Sequence, residues 1–139
     1  MRRAVSAVRS QMTRLYQAAF LDEDVWGTGR YGEALMLFDR RSRGAARRDL
    51  AVLTLGSDAA DRFASVRPAR GRLRVQVLLG RWGGPLTAVA AVFFRARAES
   101  LDGRVRVIVS QGRYFLRPLG SRWAISGYRV GRHDHPAEG

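Results

Sequence analysis

Apolar residues near the start of the chain recur at steps of three and four, as they do along one face of an amphipathic helix. Val8, Met12 and Leu15 belong to this stripe. The pattern predicts a helix over residues 4–21, about five turns long. The acidic run 22–24 should end it, because negative charge is unfavourable at a helix C-terminus, and this run is better suited to cap the next element.

Further helices are predicted before the sheet begins. Apolar spacing places one over residues 31–41 and another over 45–53, with a break at 42–44. Ser57 reads as an N-cap for a short helix over residues 58–64. Pro68 and Gly71 then mark the change from helix to sheet.

The remaining chain has the alternation and the β-branched and aromatic content of strands. Four strands are predicted, over residues 73–79, 86–98, 104–116 and 123–130. Asp102 and Gly103 indicate a tight hairpin turn, and Gly112 suggests a β-bulge in the third strand. Residues 132–139 are polar and predict a frayed tail.

This order predicts an α+β fold in which N-terminal helices pack on a curved antiparallel sheet of about four strands. The chain has 139 residues, of which 46% are hydrophobic, which suits one domain over residues 1–131 followed by the tail. The chain has no cysteine, so a disulfide framework and a thiol nucleophile are excluded.

The net charge of +13 comes from 25 basic residues, all of them arginine. A GC-rich genome would favour arginine by itself, but such a molecule should still prefer anionic surfaces. The expected partners are another protein or an anionic membrane surface. Nucleic acid is disfavoured, because the arginines form no block and the aromatic residues are needed in the core.

Neither a membrane-spanning segment nor a signal peptide is recognisable, since no apolar run is long enough. Localisation stays open between cytoplasmic and, if an anchor upstream of Met1 has been removed, exported or membrane-associated.

The sequence offers no catalytic, cofactor-binding or metal-binding motif. Gly27 and Gly29 lack the lysine and the spacing of a phosphate-binding loop. His133 and His135 have no further ligand nearby. The predicted strands carry no carboxylate, so general acid–base catalysis inside the fold lacks its usual group.

Aromatic residues are the remaining candidates for a site. They either fill the interior between helices and sheet or line an apolar ligand pocket. The candidate pocket-lining residues are Tyr16, Phe20, Trp26, Tyr31, Phe38, Phe94, Tyr114, Trp123 and Tyr128.

The ending Tyr-Phe-Leu-x-Pro-x-Gly-x-x-Trp-x-Ile-x-Gly-Tyr-x-Val, over residues 114–130, resembles the nuclear transport factor two-like, cystatin-like superfamily. Together with Thr54-Leu-Gly56 it also resembles actinobacterial accessory proteins associated with mammalian cell entry transport systems. The superfamily resemblance implies a cone-shaped sheet wrapped around the first helix, and dimers formed through the outer sheet face. The accessory proteins imply a small domain behind a membrane anchor.

The expected function is therefore a non-catalytic binding or scaffolding domain, as in the soluble part of a membrane-associated or secretion and transport complex. The alternative is a small enzyme or hydrophobic-ligand binder of the ketosteroid isomerase or polyketide cyclase type. Carboxylates in the cone, which such enzymes use, are not found on the predicted strands.

Overall fold

Helix α1 (Arg2–Tyr16) buries the predicted apolar stripe and continues into a π-helical segment, Gln17–Leu21. The computed structural model describes residues 1–137, so Glu138 and Gly139 of the predicted tail lie outside the described residues. The first helix is confirmed, although its last turn is wound more widely than an α-helix. Asp22 accepts a hydrogen bond from the Asp24 backbone amide at 3.0 Å and caps the following helix, as the acidic run predicted.

The predicted bounds of the next helices, 31–41 and 45–53, are wrong, because this part of the chain forms several short helices. The helices after α1 are α2 (Glu23–Trp26), α3 (Gly32–Leu35), α4 (Arg40–Arg48) and α5 (Leu50–Leu53), followed by a 3₁₀ turn at Ala59–Asp61. The predicted break at residues 42–44 is wrong, because it lies inside α4. The Asp39 carboxylate caps α4 by accepting a hydrogen bond from the Ser42 amide. Ser42 therefore lies at the start of a helix rather than at its end.

The helices precede a four-stranded antiparallel sheet, which confirms the α+β fold. Its strands are β1 (Phe63–Leu79), β2 (Pro85–Ser100), β3 (Val105–Leu119) and β4 (Arg122–Pro136), paired in that order. Residues with even numbers between Ala88 and Ala98 face the helices and are buried against them. The opposite side of the sheet, called the outward face below, is open to solvent.

Strand β1 begins ten residues before the predicted strand, and the predicted helix over 58–64 is reduced to the 3₁₀ turn. Pro68 and Gly71 lie within the strand rather than before it. Proline is tolerated because β1 is an edge strand, and the register shifts between Pro68 and Arg70.

The predicted bulge at Gly112 is wrong. Gly112 pairs in register with Val130, and the register shift falls instead between Phe115 and Leu116, where β4 carries Ser126 as an extra residue. Gly112 has φ 148°, and a Cβ atom at this position would overlap with the backbone of Arg129. The glycine is needed for this close approach.

The predicted frayed tail is also wrong for its described part. Strand β4 continues through Pro136, and the pairing of β3 with β4 runs without interruption from Gly112 to Arg106. The domain therefore extends at least to Pro136 rather than to residue 131. Along this part of β4, Arg132 and Asp134 lie on the helix side of the sheet, and the two histidines lie on the outward face. This alternation in the sequence has the period of a β-strand.

No helix within residues 1–137 is long and apolar enough to cross a membrane.

Candidate functional site

An aromatic cluster fills the space between α1 and the sheet. Tyr16 lies 5.4 Å from Phe20 and 4.9 Å from Phe94, measured between ring centroids. Tyr114 extends the cluster across β3 towards Tyr128, at 6.4 Å. These separations are those of rings in direct contact.

The structure brings six of the nine candidate pocket-lining residues into this cluster: Tyr16, Phe20, Phe38, Phe94, Tyr114 and Tyr128. Trp26, Tyr31 and Trp123 are buried in other parts of the same core. Tyr31 donates to the Gly56 carbonyl at 2.6 Å, and the Trp123 carbonyl accepts from Gln11 at 2.7 Å.

The cluster contains few polar atoms. The hydroxyl groups of Tyr16 and Ser110 share a hydrogen bond of 2.7 Å. Within the described residues, the buried hydroxyl of Tyr114 has no hydrogen-bond partner. Burial raises the pKa of Tyr16 and of Tyr114 above the ordinary tyrosine value, so both hydroxyls stay protonated and neutral at physiological pH.

Two carboxylates in the helix–sheet layer are held by ion pairs. Asp39 is buried and accepts from Arg117 at 2.9 Å and from the Ser42 amide at 2.8 Å. Burial alone would raise the pKa of Asp39, but these hydrogen bonds outweigh it, and its pKa is lowered.

Asp134 is the carboxylate that sequence reasoning missed, because it was assigned to the tail. It lies on the helix side of β4 and accepts two hydrogen bonds from Arg132, at 3.0 and 2.7 Å. Arg62 approaches it at 3.5 Å. Arg132 also donates to the carbonyl of Thr54, so this pair ties the end of β4 to the chain just after α5.

Grooves border α1 on both sides. One, of about 390 Å³, lies between α1 and the β1–β2 hairpin and is lined by Met12, Tyr16, Leu73 and Phe94, with arginines on its rim. The other, of about 570 Å³, lies between α1 and the β3–β4 turn and is mixed in polarity. Both open at the surface.

Most charged side chains on the outward face of the sheet are arginines. Eight exposed arginines lie on it: Arg67, Arg70, Arg72, Arg74, Arg95, Arg97, Arg113 and Arg129. Within the described strands, Glu99 is the one carboxylate on this face.

Three pairs of these arginines lie directly opposite each other on neighbouring strands: Arg67 with Arg97, Arg70 with Arg95, and Arg113 with Arg129. Buried apolar residues of β3 lie beside two of these pairs. Val107 lies beside Arg97, and Val109 lies beside Arg95. Long arginine side chains can cover such apolar positions while their guanidinium groups stay in water.

The sequence contained the signal for this face, in arginines two residues apart along β1 and β2. Which arginines face each other depends on the register between the strands, and this register shifts after Pro68. In the sequence the arginines therefore looked scattered.

His133 and His135 also lie on the outward face, with their rings stacked at 5.6 Å. No group of three or more His, Cys, Asp or Glu side chains within residues 1–137 is placed to hold a metal ion.

Comparison of the chain with protein-family models, with curated proteins and with solved structures gave no significant match.

Proposed function

We propose that this protein is a non-catalytic binding domain whose outward sheet face binds an anionic surface. The observation that carries this proposal is the set of three directly opposed arginine pairs. Neighbouring strands are about 4.8 Å apart, and like charges directly opposite each other destabilise a sheet. An anion placed between two guanidinium groups would remove that repulsion.

Arginine suits this task chemically. Its planar guanidinium donates two parallel hydrogen bonds to a phosphate, sulfate or carboxylate and is always charged at physiological pH. On the outward face of β1, Arg70, Arg72 and Arg74 alternate with the residues that face the helices. Their spacing of two residues corresponds to about 6.6 Å, so they form a row that can contact several anionic groups of an extended surface at once.

The resemblance to the nuclear transport factor two-like superfamily is part of this proposal. The order of helices before a four-stranded antiparallel meander supports it. In that superfamily the outer sheet face is expected to form dimers. Here a second copy would bring Arg113 and Arg129 against further arginines, so an anionic partner suits this face better. A place in a membrane-associated or transport complex, as the accessory proteins imply, would supply such a partner.

The proposal is tested by removing one arginine of each pair, in the triple variant Arg95→Gln, Arg97→Gln and Arg113→Gln. Immobilised heparin serves as the anionic probe. We expect the variant to elute at lower salt than the unchanged protein. Its free energy of unfolding at low ionic strength should rise, by roughly 0.2–1 kcal/mol for each repulsion removed.

The matched control removes the same charge from the helical side of the domain, with Arg14→Gln, Arg30→Gln and Arg47→Gln. These three side chains are exposed. The control should keep most of the heparin affinity and should not become more stable. Equal elution of the two triple variants would contradict the proposal, because net charge alone would then explain the binding.

A second candidate is a binder of amphipathic small molecules. The groove of about 390 Å³ beside α1 favours it, since Met12 and Leu73 provide an apolar floor and Arg9 could hold an anionic head group at its rim. Titration with a fluorescent fatty acid tests this function. Met12→Gln should abolish binding if the acyl chain lies in the groove.

A further inference from the structure

The turn between β1 and β2, together with the strand ends beside it, exposes a group of large apolar side chains. They are Leu78, Leu79, Trp82 and Leu86. Trp82 is 93% exposed, whereas the two other tryptophans, Trp26 and Trp123, are buried in the core. Such a grouping on a hairpin tip is costly in water and marks an interaction site.

Basic charge surrounds this turn. Arg81 lies within it, and Arg74 lies on the outward face of the same hairpin. Residues 63–98, which form nearly the whole hairpin, contain no acidic residue. The acidic residues Glu99 and Asp102 lie at the opposite end of β2. The outward-face arginines nearest this tip are Arg74, Arg113 and Arg129, which lie level with one another across the sheet, whereas the pairs Arg67–Arg97 and Arg70–Arg95 lie towards the other end of the hairpin.

We propose that the β1–β2 turn inserts into the headgroup region of a bilayer that contains anionic lipids, while Arg74, Arg113 and Arg129, the outward-face arginines nearest the turn, contact the lipid phosphates. This inference rests on the proposed function, since it names a lipid surface as the anionic partner. Tryptophan is favoured at the boundary between headgroups and acyl chains, and leucine is favoured just below it. Arg81 can extend its guanidinium to the phosphates from the inserted turn.

A bilayer explains the tip better than the other anionic partners do. Nucleic acid would use aromatic rings as stacking platforms on the sheet, but Phe93 and Phe115 are only half exposed, and leucines at a tip give no stacking. A second copy of the chain would bring two molecules of charge +13 together. A bilayer with anionic lipids satisfies the apolar tip and the arginines at once.

Intrinsic fluorescence of the full chain tests the insertion, because Trp82 is the exposed tryptophan. The probes are vesicles of phosphatidylcholine alone and of equal parts phosphatidylcholine and phosphatidylglycerol. We expect a shift of emission to shorter wavelength, and quenching by brominated acyl chains, with the anionic vesicles only. Trp82→Phe should remove both signals and keep the binding measured by vesicle sedimentation.

Two leucines provide a matched pair of variants. Leu86, at the start of β2 beside the β1–β2 turn, is 59% exposed, and Leu101 in the β2–β3 turn at the other end of the sheet is 61% exposed. Leu86→Ser should weaken partitioning to anionic vesicles roughly tenfold or more, since burial of a leucine side chain is lost. Leu101→Ser should leave partitioning unchanged. Thermal unfolding of both variants checks that the fold is kept.

The results distinguish this inference from the proposed function. If heparin binding depends on the arginine pairs while Trp82 emission and the Leu86→Ser variant show no effect of vesicles, the insertion is refuted and the anionic surface remains. Tighter binding to single-stranded DNA than to anionic vesicles, or a dimer that Leu86→Ser dissociates, would also refute the insertion. If heparin binding does not depend on the arginine pairs, the proposed function itself is refuted.

Discussion

Asp39 connects helix α4 to the sheet, and its replacement by alanine gives a prediction with a defined magnitude. The carboxylate caps α4 through the Ser42 amide and forms the ion pair with Arg117. The residue's own amide donates to the Ile125 carbonyl at 2.7 Å, a contact that alanine keeps. Asp39→Ala therefore removes the cap and the ion pair and leaves the backbone link intact.

The expected loss follows from these two contacts. Removal of a helix N-cap costs about 1–2 kcal/mol in a folded protein. The ion pair adds about 0.2–1 kcal/mol, because the Arg117 side chain is 45% exposed and its charge is screened by water. The hydroxyl of Ser42 adds little, since it also donates to the Ile125 carbonyl at 2.7 Å. We expect Asp39→Ala to lower the free energy of unfolding by about 1–3 kcal/mol.

The pH dependence has a definite sign. The pKa of Asp39 in the folded protein lies below its ordinary value of 3.8. A carboxylate with a lowered pKa contributes stability above its unfolded pKa, and this contribution is lost as the pH falls through the folded value. The difference between the unchanged protein and Asp39→Ala should therefore be largest near neutral pH and should shrink below about pH 4.

Urea unfolding followed by circular dichroism measures both effects. Arg117→Gln is the control for the ion pair and should cost less than about 1 kcal/mol. Asp39→Asn keeps an acceptor for the cap and should fall between the two. A cost below about 0.5 kcal/mol for Asp39→Ala, or an equal cost for Arg117→Gln, would refute the assignment of Asp39 as the cap of α4.

Further predictions concern the packed interior. Gly112→Ala should destabilise the domain by about 1–3 kcal/mol in thermal unfolding, because its Cβ would meet the Arg129 backbone, whereas Gly131→Ala, which meets nothing within 4 Å, should not. Tyr114→Phe should leave the free energy of urea unfolding within about 0.5 kcal/mol, since its hydroxyl has no partner among the described residues. Tyr16→Phe should cost about 0.5–1.5 kcal/mol in the same assay through the lost bond to Ser110. The reverse order of the two tyrosine variants would contradict this reading of the interior.

The sequence predicted the parts of this fold whose patterns are local. The apolar stripe of α1 and the alternation after residue 73 each appear within a few residues, so these elements were placed correctly. The first half of β1 was missed because Pro68 looks like a terminator. Proline is tolerated inside this strand because β1 is an edge strand, which is a property of the assembled sheet.

The binding surface was harder to predict for a related reason. Two arginines become opposed only when their strands pair in a particular register, and the register shift after Pro68 is not marked in the sequence. The break predicted at residues 42–44 failed because Asp39 caps α4 and places Ser42 in the first turn of that helix. For the strands, the missing information lies in contacts between distant residues.

The edge position of β1 also affects how the protein behaves at high concentration. Between Arg70 and Leu78 the strand is regular, and its outer edge presents backbone groups that could pair with the same edge of another molecule. Such pairing would align Arg72 and Arg74 of both molecules, and their repulsion opposes it. Added salt shortens the screening length from about 10 Å at 0.1 M to about 3 Å at 1 M and weakens that protection. Solutions of this protein should therefore stay monodisperse in dilute buffer and scatter more light as sodium chloride is raised.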